Sequence, residues 1–321
     1  MRSAVLILTL ALGLDGRAAE AAAQKLPADF THNRIHLVTQ ARDGTRLTAY
    51  VDSGGGSDII DLALQARLKL ASVGELETDE GRFALVDYPS WLEKAGIPAP
   101  PDDPQLHGRL MVMPAATVSD DDLFLGAPWL AGRVWLIDYG RHEMILAPDW
   151  KPTAQDHAMP LGFQVDEHGT RPTGMARMTV TIDGKPLDML LDTGAMITLS
   201  ADGAAAFHVE PGTVVGGGFI MQARFDEWHP RHPDWRVIDH GEAIGGPGNA
   251  MIEVPRVTVA GFTVGPVWFA RRDDFNFAQW MSSMTDKPIV GAFGGSGLQY
   301  FRLVLDYPRA TAWILPTTAP K

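Results

Sequence analysis

The stretch IHLVTQARDGTRLTAYVDSGGGSDII, at residues 35–60, has a partner further along the same chain. Residues 175–200 read MARMTVTIDGKPLDMLLDTGAMITLS, and the two stretches align without a gap at an offset of 140 positions, which sets Asp52 on Asp192. Repetition of one pattern at a fixed offset indicates an internal duplication. We therefore expect a fold made of two related halves.

Each copy of this stretch contains an Asp-Gly pair, Asp43-Gly44 in the first and Asp183-Gly184 in the second. Runs of β-prone residues lie on both sides of each pair. Asp-Gly between two such runs is a strong signal for a β-hairpin with a tight turn. A hairpin is therefore predicted in both halves, directly before the aligned aspartates.

The two copies also match at their far ends. The first contains LFLGAPWLAGRVWLIDYGRHEMIL at residues 123–146, and the second contains PIVGAFGGSGLQYFRLVLDYPRATAWIL at residues 288–315. Each has an apolar run ending in glycine, a short connection, a strand ending in Asp-Tyr, a tight turn and a last apolar strand. We align Gly126 with Gly291 as the glycines that end the apolar runs.

Each copy also runs from an apolar strand into Asp-[Ser/Thr]-Gly, at Asp52 and at Asp192. One such triplet is an ordinary turn sequence, whereas two at equivalent places of a duplication are far more specific. Two carboxyl groups on facing turns can hold a water between them, one taking its proton while the other polarises a carbonyl group. Carboxyl groups this close share a proton. Asp52 and Asp192 are therefore the candidate catalytic residues.

The residues after each aspartate are expected to support the pair. Glycine at Gly54 and Gly194 lets the backbone approach where a side chain would collide. The hydroxyl groups of Ser53 and Thr193 can bond across to the partner loop and hold the two turns together. Ala195 completes the supporting set in the second copy.

Both Asp-[Ser/Thr]-Gly motifs, together with the apolar-apolar-Gly segments Phe124–Gly126 and Ile289–Gly291, resemble the pepsin and retropepsin superfamily of aspartic peptidases. The resemblance runs from about Arg34 to Leu315, and the Asp-Thr-Gly-Ala form of the second motif is closer to retropepsin-like bacterial proteins than to pepsin. It implies an all-β, bilobal, acid-protease-like double β-barrel, with two duplicated lobes about a pseudo-twofold axis.

The resemblance also implies a function. It is that of an aspartic endopeptidase, which hydrolyses a peptide or protein substrate in a cleft between the lobes, with no cofactor and no metal. Pepsins place Ser or Thr directly after the motif glycine, whereas this chain has Gly55 and Ala195. Hydroxyl groups there would favour the ionised carboxylates, so their loss predicts a higher pKa for the pair and a pH optimum closer to neutral.

Members of the superfamily close a β-hairpin flap over the substrate. In the second copy we predict the flap tip in the glycine-rich segment 243–248, with Gly245, Gly246 and Gly248 as its candidates. Residues 215–218 are a competing position. The first copy shows no glycine-rich flap, and Tyr88 or Trp91 could supply an aromatic side chain there.

Composition limits the partners and the cellular location. The net charge of −12 argues against nucleic acids and anionic membranes, and the absence of cysteine excludes disulfides and thiolate metal sites. Residues 1–23 resemble a signal peptide, with Arg2 before a short apolar run and small residues at an A-x-A cleavage site. An exported protein, periplasmic or secreted, with no integral membrane span after signal cleavage is predicted.

The repeats predict an N-terminal lobe at residues 24–150, a linker at 151–172 and a C-terminal lobe at 173–321, in a monomer. Two alternatives remain open. The unusual Gly54–Gly56 loop is compatible with a non-catalytic exported peptide-binding protein that retains the peptidase fold. Alternatively, only the C-terminal lobe is catalytic and pairs with itself in a homodimer. The histidines at 229, 232 and 240 match no zinc pattern, so no metal site is predicted.

Overall fold

The computed structural model describes residues 23–78, 81–93, 95–114, 121–243 and 249–317, and strands are their main regular structure. The predicted signal peptide, residues 1–23, lies outside these ranges except for its last residue. Among the described residues, no helix is long and apolar enough to cross a membrane.

The strands of the first half are β1 (Gln24–Leu26), β2 (Ala28–Asp29), β3 (His36–Gln40), β4 (Arg46–Val51), β5 (Ile59–Asp61), β6 (Ser72–Thr78), β7 (Gly81–Val86), β8 (Leu110–Met113), β9 (Leu123–Leu125), β10 (Val134–Asp138) and β11 (Glu143–Leu146). Its helices are α1 (Leu62–Arg67) and α2 (Ala127–Leu130), with a 3-10 turn at Thr31–Asn33.

The strands of the second half are β12 (His157–Pro160), β13 (Arg177–Ile182), β14 (Lys185–Leu191), β15 (Met196–Thr198), β16 (Val214–Gly216), β17 (Phe219–Met221), β18 (Val237–Ile238), β19 (Met251–Val254), β20 (Val257–Val259), β21 (Phe262–Val264), β22 (Val267–Arg272), β23 (Gly291–Phe293), β24 (Phe301–Asp306) and β25 (Thr311–Pro316). Its helices are α3 (Ala201–Phe207), α4 (Gln222–Arg231) and α5 (Gly295–Leu298). A π-helical turn at Asn276–Trp280 and a 3-10 turn at Met281–Met284 lie between α4 and α5.

Three large sheets organise these strands. The first lobe has the order β2-β3-β4-β9-β5-β8-β7-β6, and the second has β18-β19-β22-β17-β23-β14-β13-β20-β21. The third sheet, β1-β11-β10-β24-β25-β12, takes its strands from both halves and joins the lobes. The predicted fold class, an all-β bilobal acid-protease-like architecture, is confirmed, whereas closure of each lobe into a barrel stays a prediction.

The joining sheet carries the pseudo-twofold axis. At its centre β10 pairs antiparallel with β24, and Leu136 lies opposite Val304, which is its own counterpart 168 residues later in the Asp-Tyr alignment. On one side β1 pairs with β11, and on the other β12 pairs with β25 in the same antiparallel sense. The segment predicted as the linker, 151–172, therefore holds β12, the counterpart of β1.

The hairpins predicted from the Asp-Gly pairs are confirmed. Strands β3 and β4 pair antiparallel, as do β13 and β14. In the second turn both Asp183 and Gly184 have positive φ angles, 52° and 71°, which is the conformation that a two-residue type I′ turn requires. This backbone twist matches that of the flanking strands, so the pair fixes the register of β13 against β14.

The alignment of Gly126 with Gly291 is wrong by three residues. In the first lobe β4 pairs with β9 so that Val51 lies opposite Leu125, and in the second β14 pairs with β23 so that Leu191 lies opposite Phe293. The counterpart of Gly126 is therefore Gly294. The sequence offers several glycines in this run, and only the hydrogen-bond register beside the aspartate strand distinguishes them.

The second copy has an insertion directly after its aspartate loop. Strand β5 pairs with β9 so that Ile59 lies opposite Phe124, and β17 pairs with β23 so that Phe219 lies opposite Ala292. Phe219 is thus the counterpart of Ile59, and the offset between equivalent residues grows from 140 to 160. The added residues form β15, α3 and β16.

The structure contradicts the flap prediction for residues 215–218. These residues are buried, and Gly216 belongs to β16, which pairs with β15. A Cβ atom on Gly217 would lie 2.2 Å from Ile197, and one on Gly218 would lie 2.8 Å from Phe269. Glycine is needed here for close packing of the insertion and not for a mobile tip.

Two other flap candidates have different outcomes. In the second lobe β18 pairs with β19, and the segment between them includes Gly245, Gly246 and Gly248, which lie outside the described residues. In the first lobe the corresponding hairpin is β6–β7. The suggested aromatics do not belong to it: the hydroxyl of Tyr88 donates to Asp58, and Trp91 forms a bridge with Ala41.

Candidate active site

The two aspartate loops lie at the ends of equivalent strands. Strand β4 ends at Val51 and strand β14 at Leu191, so each aspartate is the next residue. The amide of Asp52 donates to the carbonyl oxygen of Leu125 at 2.9 Å, and that of Asp192 donates to Phe293 at 3.1 Å. Each aspartate is thus anchored on the apolar strand beside it, in the same way in both lobes.

Four hydrogen bonds cross between the loops. The hydroxyl of Ser53 donates to the carbonyl of Leu191 at 2.8 Å, and that of Thr193 donates to the carbonyl of Val51 at 2.9 Å. The amide of Ser53 donates to the Thr193 hydroxyl, and the amide of Thr193 to the Ser53 hydroxyl, both at 3.0 Å. Both side chains are fully buried, so neither loop can shift without breaking bonds inside the protein.

The glycines allow the two carboxyl groups to meet. Gly54 donates its amide to Asp52 Oδ1 at 2.8 Å, and Gly194 donates to Asp192 Oδ1 at 3.0 Å. A Cβ atom on Gly194 would lie 2.0 Å from Cγ of Asp52, and one on Gly54 would lie 2.7 Å from Cγ of Asp192. Each carboxyl group therefore rests against the glycine of the opposite loop, and the two carboxyl groups hydrogen-bond to each other.

Burial and mutual repulsion set the protonation of the pair. Loss of solvent raises the pKa of Asp52, while hydrogen bonds from Asp192 and from nearby amides oppose this rise. Loss of solvent raises the pKa of Asp192 well above its usual value, and the charge of Asp52 raises it further. A single proton shared by the two carboxyl groups is the favoured state, because two adjacent charges cannot both be buried.

The position after each motif glycine differs from pepsin for a structural reason in the first lobe. A Cβ atom on Gly55 would lie 2.5 Å from the ring of Phe124, so a serine could not stand there unless that ring moved. In the second lobe the position is Ala195, which is buried and offers no hydroxyl. Both carboxyl groups therefore lack the side-chain donor that would stabilise their charge.

A cavity of about 620 Å³ opens beside the carboxyl pair. Its walls come from both lobes and are mainly apolar, and they include the aspartate loop of the first lobe, Asp192, and the helical turns that precede β23. The lining residues are Gly54, Gly55, Gly56, Ser57, Ile59, Met111, Met113, Phe124, Met175, Asp192, Phe219, Arg272, Asn276, Phe277, Trp280, Met281 and Met284. Small-molecule and peptide side-chain sites commonly have this size and apolar character.

Arg272 is the only cationic side chain among these lining residues, and it forms an ion pair with Glu242. Its guanidinium group donates to both oxygens of Glu242, at 2.5 and 2.8 Å, and lies 4.0 Å from the centre of the Phe219 ring. Glu242 is almost fully buried, so the pair is held in place by packing on both sides. The pocket consequently offers apolar surface more than free charge.

Comparisons with known proteins add little beyond the fold. No protein-family profile and no curated protein matches the chain. Among solved structures, the chain is similar to the crystal structure of EDGP (TM-score 0.48, 9% identity, 93% of this chain and 95% of that chain covered). It is also similar to an aspartic proteinase from Irpex lacteus (TM-score 0.46, 10% identity, 92% and 98% covered). Similarity at this level carries no information about chemistry.

The structure brings together Asp52, Asp192 and their supporting residues, but it also shows parts of the site that sequence patterns missed. Asp58 is buried beside the first aspartate loop and belongs to no recognisable sequence motif. The apolar wall at residues 276–284 lies where the two copies diverge, and only its spacing of Phe277, Trp280 and Met284 could have suggested a helical face. Within the described ranges, no group of three or more histidine or acidic side chains is placed to hold a metal ion.

Proposed function

We propose that this protein is an aspartic endopeptidase in which Asp52 and Asp192 act together on a water molecule. One observation carries the proposal: two carboxyl groups from equivalent loops, that of Asp192 buried and that of Asp52 half-buried, hydrogen-bond to each other at the side of a cleft between the lobes. Structural turns do not require this arrangement. Burying two adjacent acids is costly, and active sites are the usual place where such a cost is retained.

The chemistry follows from the shared proton. The ionised carboxylate accepts a proton from the water while the water oxygen attacks the carbonyl carbon of the peptide bond. The protonated carboxyl group donates to the carbonyl oxygen, which becomes the hydroxyl of a tetrahedral intermediate. Transfer of a proton to the amide nitrogen then allows the carbon–nitrogen bond to break. The acid and base roles belong to the pair and not to one residue.

The cleft favours substrates with large apolar side chains next to the cleaved bond. Five methionines line it together with phenylalanine and tryptophan side chains. Methionine is unbranched and flexible, so a surface rich in it can adapt to apolar groups of different shape. We therefore expect cleavage beside large apolar residues, with little discrimination between aliphatic and aromatic ones.

One chain is sufficient for this mechanism. Asp52 comes from the first half and Asp192 from the second, and the crossed bonds of Ser53 and Thr193 hold them together. A homodimer that uses only the C-terminal lobe is therefore not needed to form the pair. The buried Ser53 and its crossed bonds also support a catalytic first lobe over a merely binding one.

The test is incubation of the full chain with a complex peptide mixture from pH 3 to 8, followed by mass spectrometry of the products. We expect new termini beside large apolar residues, and their loss in the presence of an aspartic-peptidase inhibitor. Asp192→Asn is the matched control, since it keeps the shape of the side chain. Peptide binding without cleavage at every pH would instead support the non-catalytic binding protein.

The pH dependence provides a second prediction. Because burial raises the pKa of both carboxyl groups and Gly55 and Ala195 supply no hydroxyl, the pH window in which the pair holds one proton lies higher than in pepsin-type sites. We expect a bell-shaped pH–rate profile with its maximum above about pH 3.5. Ala195→Ser adds a donor and should move the profile to lower pH. A wild-type maximum below this value would contradict the prediction.

A further inference from the structure

Asp58 is a buried carboxyl group that the proposed reaction does not use. It precedes β5 and is completely shielded from solvent. Its Oδ1 accepts the amide of Gly126 at 2.8 Å, and its Oδ2 accepts the hydroxyl of Tyr88 at 3.1 Å. Its own carbonyl oxygen accepts the amide of Met111 at 2.8 Å. A carboxyl group bound on both oxygens in this way is fixed in one orientation.

The bond to Gly126 connects Asp58 to the aspartate loop. Gly126 directly follows Leu125, whose carbonyl oxygen accepts the amide of Asp52 at 2.9 Å. On the other side of Gly126, the amide of Ala127 donates to the carbonyl of Gly55 at 2.8 Å. A Cβ atom on Gly126 would lie 2.4 Å from the carbonyl oxygen of Ser57, so the two backbones touch here. Asp58 therefore supplies the side-chain contact of this three-point junction.

The second lobe has no such carboxyl group. Ile59 and Phe219 are structural counterparts, so the residue that matches Asp58 is Gly218. The backbone agrees with this assignment, since the carbonyl of Gly218 accepts Ala270 as that of Asp58 accepts Met111. Glycine has no side chain with which to bind Gly294. A side-chain carboxyl group therefore supports the aspartate loop of the first lobe, and the equivalent position of the second lobe offers no side chain for this contact.

The surroundings favour the neutral acid. Burial raises the pKa of Asp58 to about 8, with the charge of Asp103 adding to the rise and the bonds from Gly126 and Tyr88 opposing it. Arg133 is the cationic group whose charge acts on both Asp58 and Tyr88, and its guanidinium donates to the carbonyl of Trp129 at 3.2 Å. Within the described residues it forms no ion pair with Asp58, so burial remains the main influence on the pKa of that carboxyl group.

We propose that Asp58 is a positioning residue of the active site, which holds Gly126 and thereby fixes the Leu125 carbonyl that anchors Asp52. The role rests on the proposed function of the aspartate pair. Without this bond the peptide unit between Leu125 and Gly126 loses its fixed orientation in the first lobe only.

The experiment compares Asp58→Leu with Asp58→Asn in the full chain and follows hydrogen exchange of single amides by NMR at pH 6. Asparagine keeps an acceptor for Gly126 and carries no charge at any pH, whereas leucine removes the acceptor at similar size. We expect Asp58→Leu to speed exchange of the Asp52 amide at least tenfold relative to the Asp192 amide, and Asp58→Asn to leave the ratio within threefold of wild type. The Asp192 amide is an internal control for global destabilisation.

Equal changes at both amides, or no change in Asp58→Leu, would overturn the proposal, because a general structural role affects both lobes. If Asp58→Leu does not fold, Asp58→Ala removes the same acceptor with a smaller side chain and allows the same comparison of the two amides. An exchange ratio in Asp58→Ala within threefold of wild type contradicts the inference. In a folded Asp58→Leu variant, kcat should fall about 10- to 100-fold with KM within threefold.

The exchange measurement separates this inference from the proposed function. A wild-type protein without peptidase activity, but with selective exchange at Asp52 in Asp58→Leu, would retain the positioning role and reject the peptidase. An active protein with unchanged exchange ratios would retain the peptidase and reject the role of Asp58. Stability gives a further readout: the folded state holds the Asp58 proton that the unfolded chain loses, so wild-type Tm should fall from about pH 4 to pH 8 relative to Asp58→Asn.

Discussion

Replacement of either Asp52 or Asp192 by asparagine is expected to reduce peptide cleavage about 10⁴-fold. Asparagine keeps the size of the side chain and an oxygen that can accept the Gly54 or Gly194 amide. It cannot take a proton from water or share one with its partner. The remaining aspartate then lacks the second member of the pair, so neither acid–base role can be completed.

The loss should be the same for the two variants, and this equality is the informative part. The crossed loops place both carboxyl groups in contact, so they act as one unit. The double variant Asp52→Asn/Asp192→Asn is therefore expected to be no less active than either single variant, in contrast to additive effects of independent groups. The measurement is kcat/KM on one peptide substrate, at several pH values.

Asp202→Asn is a suitable control, because Asp202 is exposed in the first turn of α3 and is not among the residues that line the cleft. It makes the same chemical change and should keep wild-type activity. Retained activity in Asp52→Asn with complete loss in Asp192→Asn would reject the single-chain dyad and support a homodimer of C-terminal lobes.

Sequence patterns predicted those parts of the fold that depend on local chemistry. The Asp-Gly pairs define their hairpins through backbone preference, and the shift of 140 residues holds from Ile35 to Asp52 because no residue is inserted there. The prediction failed at Gly291, where several glycines fit an apolar-Gly pattern. The choice of Gly294 depends on hydrogen bonds between Leu191 and Phe293, which lie about a hundred residues apart.

The parts of the site that sequence could not predict depend on long-range contacts. Asp58 binds Gly126, which is 68 residues away in the sequence. Its counterpart in the second lobe is a glycine, so comparison of the two repeats does not single out Asp58. The apolar wall at 276–284 has no counterpart that would single it out. The insertion from β15 to β16 likewise shifts the alignment of the two copies, and no sequence motif marks it. Buried strands and short helices cannot be distinguished from other apolar segments by their pattern alone.

The crossed hydroxyl groups provide the largest expected effect on stability. Thr193→Val replaces the hydroxyl by a methyl group of similar size and leaves the Val51 carbonyl and the Ser53 amide without their partner. Each buried polar group that loses its bond costs about 1–3 kcal/mol. We expect the free energy of unfolding to fall by about 2–4 kcal/mol, measured by urea denaturation. Ser53→Ala should act similarly, since its hydroxyl makes the equivalent bonds.

Thr198→Val is the matched control, because Thr198 is half-buried in β15 and its hydroxyl makes no hydrogen bond to the described residues. It should change the free energy of unfolding by less than about 0.5 kcal/mol. The crossed bonds also join the two lobes, so Thr193→Val should lower activity together with stability by letting the carboxyl groups separate. If Thr193→Val is as stable as Thr198→Val, the crossed bonds contribute nothing net, and the loops must be held by packing of the glycines alone.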